Sequence, residues 1–450
     1  MKSIPLGAIE KWLLFEQMED PSFFTNWLVT LEQPLEQRLL ARALEELRRL
    51  SPVHFSKIIV GDDGRQIAAE FDVERGIEEF IIVRDEWEGG APSYLRHLLT
   101  HPLNPFSDGM FRCHCVMAPE PMVALQSSHV AGDGFTNNWL RATFVELYSR
   151  LCEGRDDLET DQPKLDGYNL RLGDFRPKIP VATIDFGGQT SPRTMRRPRM
   201  SADARQLGEM PLECRVRTFR AVLDRSAFHG FFARVQGFGV STLAYMAACM
   251  ALAVDRCYDN WAEQPGDFFA VYIPRDFRFV PEWKGYLGNV VFSLGVPIMK
   301  DSLGDLEHTA TNVFNLLDSA KDNWLFYRLF SHEVRAAKNA IVEVARTSSV
   351  VPCLDQQADT VFLEPLAVLG VTEVPSRKSR SSIGSARITE VYFQSPIIGR
   401  RSVEGGTVLA GNVHWHPLFD DRIRGFLQTF LDLMVQGSPN KPADVEWDLI

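Results

Sequence analysis

Gln126-Ser-Ser-His129-Val-Ala-Gly132-Asp133-Gly134-Phe-Thr-Asn-Asn138 is the stretch around which the rest of the chain is organised. Ahead of it, Pro121–Gln126 (Pro-Met-Val-Ala-Leu-Gln) is a short apolar run that reads as a buried strand. Behind it, Trp139, Leu140, Phe144, Leu147, Tyr148 and Leu151 recur at the spacing of one helix face. His129 therefore stands where a strand ends and a tight turn leads into a helix, and a side chain there faces whatever lies beyond the strand ends. Gly132 and Gly134 flank Asp133, which suits a turn with unusual backbone angles and leaves open space beside the imidazole. Imidazole has the side-chain pKa closest to neutral, so His129 can take a proton from a hydroxyl or amine attacking an acyl group. Asp133 can point away, pair with a cation and fix the geometry around His129. The same residues also read as a strand end followed by an ordinary Asp-Gly turn.

Outward from this stretch, composition narrows the choices. A chain of 450 residues is about twice a comfortable single core, so two domains are expected. Hydrophobic residues at 45% and charged residues at 24% suit a soluble globular protein. A net charge of −11 opposes a nucleic-acid partner, because phosphate binding calls for a basic field. The opening Met1-Lys-Ser-Ile-Pro-Leu-Gly7 has no charged-then-apolar leader, and Leu243–Val254, the longest apolar run, is too short to span a bilayer. A cytoplasmic monomer is the expectation. The seven cysteines are odd in number and scattered, as reduced thiols are. Cys113-His114-Cys115 on an extended strand puts two thiols on one face and the imidazole on the other. His414-Trp415-His416 offers two imidazoles on one strand face but no third ligand at a fixed spacing. No metal is expected at either place.

Taken in order, Pro34–Leu50 is an amphipathic helix, followed by Ser51-Pro52-Val53-His54. Strands follow at Phe55–Val60, Gln66–Phe71 and Glu79–Val83, and Met110–Met117 is placed to pair with Val123–Ser128. The first domain is set at 1–175, a linker at 176–212 and a second domain at 213–450. Arg193, Arg196, Arg197 and Arg199 in the linker read as a solvated face, or as a landing site for an acidic donor. Ser241 is expected to cap the long helix over Ser241–Asn260, whose apolar residues run all round it as in a buried core helix. Asp301 or Ser302 reads as a helix cap.

His129-Val-Ala-Gly-Asp133-Gly134 resembles the HxxxDG signature of the chloramphenicol acetyltransferase-like acyltransferase superfamily. That group includes peptide-synthetase condensation domains, alcohol acetyltransferases, wax ester synthases and plant BAHD acyltransferases. Downstream, Arg275-Asp-Phe-Arg278 and Gly285-Tyr-Leu-Gly288-Asn289 resemble the Arg-x-Arg and Gly-Tyr-x-Gly-Asn segment of the same group. Asp185-Phe186-Gly187-Gly188 looks like the plant Asp-Phe-Gly-Trp-Gly motif, but it lies in the linker and lacks the Trp. Ser128 stands where condensation domains usually have another histidine. Together these departures point to a stand-alone condensation-like or alcohol acyltransferase of secondary metabolism, distant from the plant enzymes.

The resemblance implies an α/β fold of the α+β sandwich type, two similar domains with a tunnel between them. His129 would be the general base, Asp133 the orienting carboxylate, and Gly134 the opening for substrate. Arg275 would pair with Asp133, with Arg278 the alternative; Asn289 and Thr372 would line the substrate path, Thr372 offering a hydroxyl to the oxyanion. The co-substrate would be a coenzyme A or phosphopantetheine thioester, on acyl-CoA or an acyl carrier protein, and the acceptor a small-molecule hydroxyl or amine, O-transfer favoured. The alternative keeps the fold as a ligand-binding module, or as a cyclase or isomerase using the same tunnel.

Overall fold

The computed structural model describes residues 2–7, 10–11, 13–14, 17, 24–61, 67–72, 74–155, 216–258, 268–276, 278, 287–319, 371–373, 381–395, 398–403, 406–414, 420–435 and 446–450. The linker arginines, Asp185–Gly188 and His416 lie outside them.

The first half runs β1 (Lys2–Pro5), β2 (Phe24–Leu31), α1 (Gln37–Leu50), β3 (Lys57–Val60), β4 (Ile67–Phe71), β5 (Ile81–Glu86), α2 (Gly90–Thr100), β6 (Phe111–Ala118), β7 (Met122–Ser128) and α3 (Gly134–Cys152). The second half runs β8 (Val216–Asp224), α4 (Arg225–Gly237), α5 (Thr242–Cys257), β9 (Phe268–Asp276), β10 (Val291–Met299) and α6 (Leu306–Ser319). It continues through β11 (Val371–Glu373), β12 (Ser382–Ile383), β13 (Ala386–Gln394), β14 (Ile398–Val403), β15 (Gly406–His414), α7 (Asp420–Val435) and β16 (Glu446–Leu449). This is the mixed α/β architecture expected.

Two sheets organise the molecule. The first has the order β12-β13-β2-β7-β6-β5, antiparallel except for the parallel pair β5–β6. Strands β6 and β7 pair as their alternation predicts, with Cys113 opposite Leu125 and Phe111 opposite Ser127. The second has the order β11-β14-β15-β8-β16, antiparallel except for β11–β14. Strand β13 belongs by sequence to the expected domain 213–450, yet it pairs along β2, with Val391 opposite Val29 and Phe393 opposite Trp27. The second half therefore lends a strand to the first sheet, and through it the two sheets share hydrogen bonds: Gln394 Nε2 donates to Thr218 Oγ1 on β8 (2.6 Å) and Asn412 N to Ser395 O (2.7 Å).

Burial follows the patterns that make the elements. One face of the first sheet (Trp27, Val29, Cys113, Cys115, Val123, Leu125) packs on the apolar stripes of α1 and α3, including Leu40, Leu44, Leu47, Leu140, Phe144 and Leu147. The opposite face (Leu28, Val116, Ala124) packs on Tyr94, Leu95 and Leu98 of α2. The Cys-His-Cys run divides as alternation requires: both thiols lie in the first core, while His114 Nδ1 pairs with Tyr94 Oη at 2.9 Å on the other face. The second core joins Phe219, Ala221 and Leu223 of β8 to α4, α5, α6 and α7. All residues of Ala244–Val254 are buried in it, and no single described helix is long and apolar enough to cross a membrane.

Ser241 and Asp305 cap two of the helices. Ser241 accepts from Ala244 N (3.2 Å) at the start of α5, as expected. We expect Ser241→Ala to cost about 1 kcal/mol, read as a lower urea midpoint with an unchanged m-value. For α6 the cap is Asp305, accepting from His308 N at 2.8 Å. Ser302 instead belongs to a short 3-10 turn and donates to Met299 O, so the cap expected at Asp301 or Ser302 lies a few residues too early.

Candidate active site

The strand–turn–helix reading around His129 matches the backbone: β7 ends at Ser128, and α3 begins at Gly134. Asp133 is the N-cap of α3, with its carboxylate accepting from Thr136 N at 3.0 Å. The two glycines act by space rather than by backbone angle, since neither has positive φ. A Cβ on Gly132 would meet Thr136 Cγ2 at 2.5 Å, whereas one on Gly134 would meet nothing within 4 Å. Gly132 is thus required by close packing, and Gly134 opens the room beside the motif that the sequence suggests.

The cation seen on Asp133 is Arg278, the alternative to Arg275. Arg278 Nη2 donates to both carboxylate oxygens, at 3.0 and 2.9 Å. The reason is local. Arg275 still lies within β9, opposite Phe292, whereas Arg278 lies beyond the strand end. There Asp276 Oδ1 accepts from Arg278 N (2.9 Å) and Nη1 (3.1 Å), an Asx-type turn that sends the guanidinium back toward Asp133. Arg278 also stacks over the Phe135 ring at 4.3 Å and donates to Gly288 O at 3.1 Å.

Asp133 is saturated by these contacts. Val290 N donates to Oδ2 at 3.0 Å, so the carboxylate accepts from a cap amide, a guanidinium and a backbone amide from the second half of the chain. Thr136 adds a second bridge: its hydroxyl donates to Gly288 O and accepts from Gly288 N, both at 3.0 Å. Gly288 can approach this closely because it adopts φ +126°, which favours glycine. Asn289 Nδ2 donates to Val130 O at 2.9 Å. The segment Gly288–Val290 is therefore stitched to Val130–Thr136 across more than 150 residues of sequence. Thr372 lies on β11 beside β14, opposite Gly399; its side chain, like that of Arg275, lies outside the described atoms.

His129 itself is partly exposed at the end of β7. Desolvation lowers its pKa below the ordinary 6.5, opposed by the Asp133 carboxylate and the Asn289 amide. At neutral pH the imidazole is accordingly neutral, the form a general base requires. Ser128, in place of a second histidine, donates to Gln17 Oε1 at 2.6 Å and accepts from Val130 N at 3.2 Å, bracing the turn from below.

Two titratable residues at the site carry no sequence pattern of their own. His54 is fully buried, with Nδ1 paired to Ser51 Oγ at 2.7 Å. Burial pushes its pKa down to about 3, and its neighbour Asn137 donates to Gly132 O at 2.8 Å. Glu10 is fully buried, and neither carboxyl oxygen makes a hydrogen bond of good geometry. Burial pushes its pKa from 4.5 up to about 8, against the opposing Asn289 amide and the amides of Gly7 and Glu10 itself, and with a further push from Asp133. The only hint of Glu10 in the sequence is a lone acid in the apolar run Ala8-Ile9-Glu10-Lys11-Trp12-Leu13-Leu14.

Glu10 makes stability pH-dependent in a defined direction. Its folded pKa is raised, so the folded chain holds a proton that the unfolded chain releases between pH 4.5 and about 8. The stabilisation is complete below pH 4.5, declines through that window and is gone above it. We expect Glu10→Gln to flatten this slope and to exceed the wild type in stability at pH 8, by up to about 5 kcal/mol. Urea unfolding at pH 5 and pH 8 checks it, and equal slopes in the two proteins would refute it.

Among the described residues, no three His, Cys, Asp or Glu side chains cluster as metal ligands. No family model matches the chain, and no curated protein does. Solved structures do match over its whole length. The condensation domain of the Monacolin K polyketide synthase MokA superposes with a TM-score of 0.58 at 13% identity, covering 98% of each chain. The fold is that of a condensation domain. Polyketide synthase associated protein 5 from Mycobacterium tuberculosis gives a TM-score of 0.60 at 13% identity, over 96% of this chain and 98% of that one. The first condensation domain of the calcium-dependent antibiotic synthetase, solved with a substrate analogue, gives 0.59 at 13% identity over 100% and 99%.

Proposed function

We propose that this protein is a thioester-dependent acyltransferase with His129 as general base, working in a condensation-domain fold of two similar units, 1–175 and 213–450, joined by a linker at 176–212. The observation that carries the reading is the division of labour at the motif. Asp133 is fully committed to Arg278, Thr136 and Val290, while the neutral imidazole four residues earlier stands partly exposed at a strand end beside the open space at Gly134. An aspartate so occupied orients the turn and does not relay the proton.

In the reaction, His129 takes the proton from the acceptor hydroxyl or amine as its oxygen or nitrogen attacks the thioester carbonyl. The tetrahedral intermediate then expels the thiolate, and the imidazolium returns the proton to sulfur. No acyl-enzyme forms. The donor is acyl-CoA or a pantetheine thioester on a carrier protein, a coenzyme consumed as co-substrate rather than held. Thr372, on the strand flanking β14, is the candidate oxyanion donor, and Asn289 positions the turn through Val130. The superposed complex with a substrate analogue supports a substrate path in this fold.

The test is thiol release from a panel of acyl-CoAs with a mixed pool of alcohols and amines. Release that requires both an acceptor and His129 supports the reading. Bound ligand without any thioester consumption, from loaded carriers as well as acyl-CoAs, favours a binding module, cyclase or isomerase instead. The acidic limb of kcat/KM is expected below pH 6.5, since desolvation lowers the His129 pKa; a midpoint above 6.5 in the pH–rate profile would remove His129 from the role of base.

A further inference from the structure

Two arginines from opposite halves of the chain, Arg141 and Arg401, act on one another as like charges, and among the described residues no acid is paired with either. Arg141 lies on α3, is only 8% exposed, and sits one turn beyond Asn137 on the same helix face. Its placement from the Asp133 cap is eight residues, about 12 Å along the helix. Arg401 lies on β14 opposite Val408. Its neighbour Arg400 turns to the second core, over the Phe228 and Phe232 rings. Alternation sends Arg401 to the other face. That face is the seam between the sheets, because Val408 and Ala410 pack there on Phe393 of β13.

Among the described residues nothing balances the charges on this pair. Arg401 bears on Arg141 as a like charge, and burial also opposes the charge on each. Arg401 Nη1 is a buried donor with no hydrogen-bond partner. Among the described residues neither guanidinium is in a salt bridge, whereas the buried Arg278 and Arg150 both are. A buried cation without a counter-charge is costly, and guanidinium stays protonated. Two buried guanidinium groups close enough to act on one another suit an oxyanion, because each can donate in a planar pair to a carboxylate or phosphate.

We propose that Arg141 and Arg401 bind an oxyanion, carboxylate or phosphate, that a substrate carries some 12 Å from the motif. That the anion belongs to a donor or acceptor of acyl transfer rests on the function proposed above. The anion site itself does not, so it is tested without turnover.

The full chain is unfolded thermally in rising concentrations of inorganic phosphate and, separately, of glutarate. The wild type is expected to gain stability with at least one of them; phosphate alone or glutarate alone identifies which oxyanion the site takes. Arg141→Gln and Arg401→Gln are each expected to need at least tenfold more anion for the same gain, and to unfold at higher temperature than the wild type when no anion is added. Arg38→Gln, an exposed change on α1, should respond as the wild type does. The proposal fails if Arg141→Gln and Arg401→Gln respond like the wild type, or if both unfold earlier without anion, as a purely structural role would require.

Discussion

Replacing His129 with Ala is expected to lower acceptor-dependent thiol release by about 10²–10⁴-fold, the usual contribution of a positioned general base, with little change in KM. The expectation follows from where the residue sits. His129 is the first residue beyond β7 and is neither a helix cap nor a core side chain. The turn around it is held without the imidazole: Ser128 Oγ accepts from Val130 N, Asn289 holds Val130 O, and Asn137 holds Gly132 O. The variant should therefore fold like the wild type, so that lost turnover reports chemistry. Unfolding curves that coincide while kcat falls would establish this. A kcat within threefold of the wild type, with the acceptor requirement intact, would overturn it.

What the sequence made legible was local. The run Pro121–Asn138 contains a strand signal, a turn signal and a helix signal in immediate succession, so the place of His129 and Asp133 could be read from periodicity. Ser241 could be read as a cap because a small hydroxyl directly precedes a long apolar helix. What the sequence left open depended on distant geometry. Arg275 and Arg278 differ by three residues, and the choice between them turns on Asp276 forming a turn that no periodicity records. Strand β13 alternates as any strand does; its place beside β2 is decided by side chains some 360 residues away, among them Asn26, which donates to Gln394 Oε1. Glu10 left almost no mark, since a single acid in an apolar run looks like a surface residue until the fold closes over it. The likeness in fold to a condensation domain at 13% identity is consistent with this: one packing pattern is met by chains that share few residues.

Removing the Arg278 side chain, as in Arg278→Met, is expected to destabilise the protein by about 3–5 kcal/mol, because it strands a buried carboxylate that has lost its cation. Asp133 is 1% exposed, and its two remaining partners are backbone amides, from Thr136 and Val290, which carry only partial charge. The complementary Asp133→Ala leaves Arg278 with Asp276, Gly288 and Thr136 as partners, but it also deletes the cap of α3 and one clasp on Gly288–Val290. Its cost should be comparable. The single Asp133→Asn and the double variant Asp133→Asn, Arg278→Met, which close a cycle with Arg278→Met, separate the two contributions. An amide at 133 can still cap the helix and is not stranded as a charge, so the pair together should cost less than the sum of the single changes by at least 1 kcal/mol. Activity should fall in all three even at temperatures where they are folded, since a loosened Gly288–Val290 segment no longer holds Val130 and the imidazole beside it in place. Additive unfolding energies in the cycle would mean that Arg278 and Asp133 act independently, and the ion pair would then play no part in holding Gly288–Val290 against the motif.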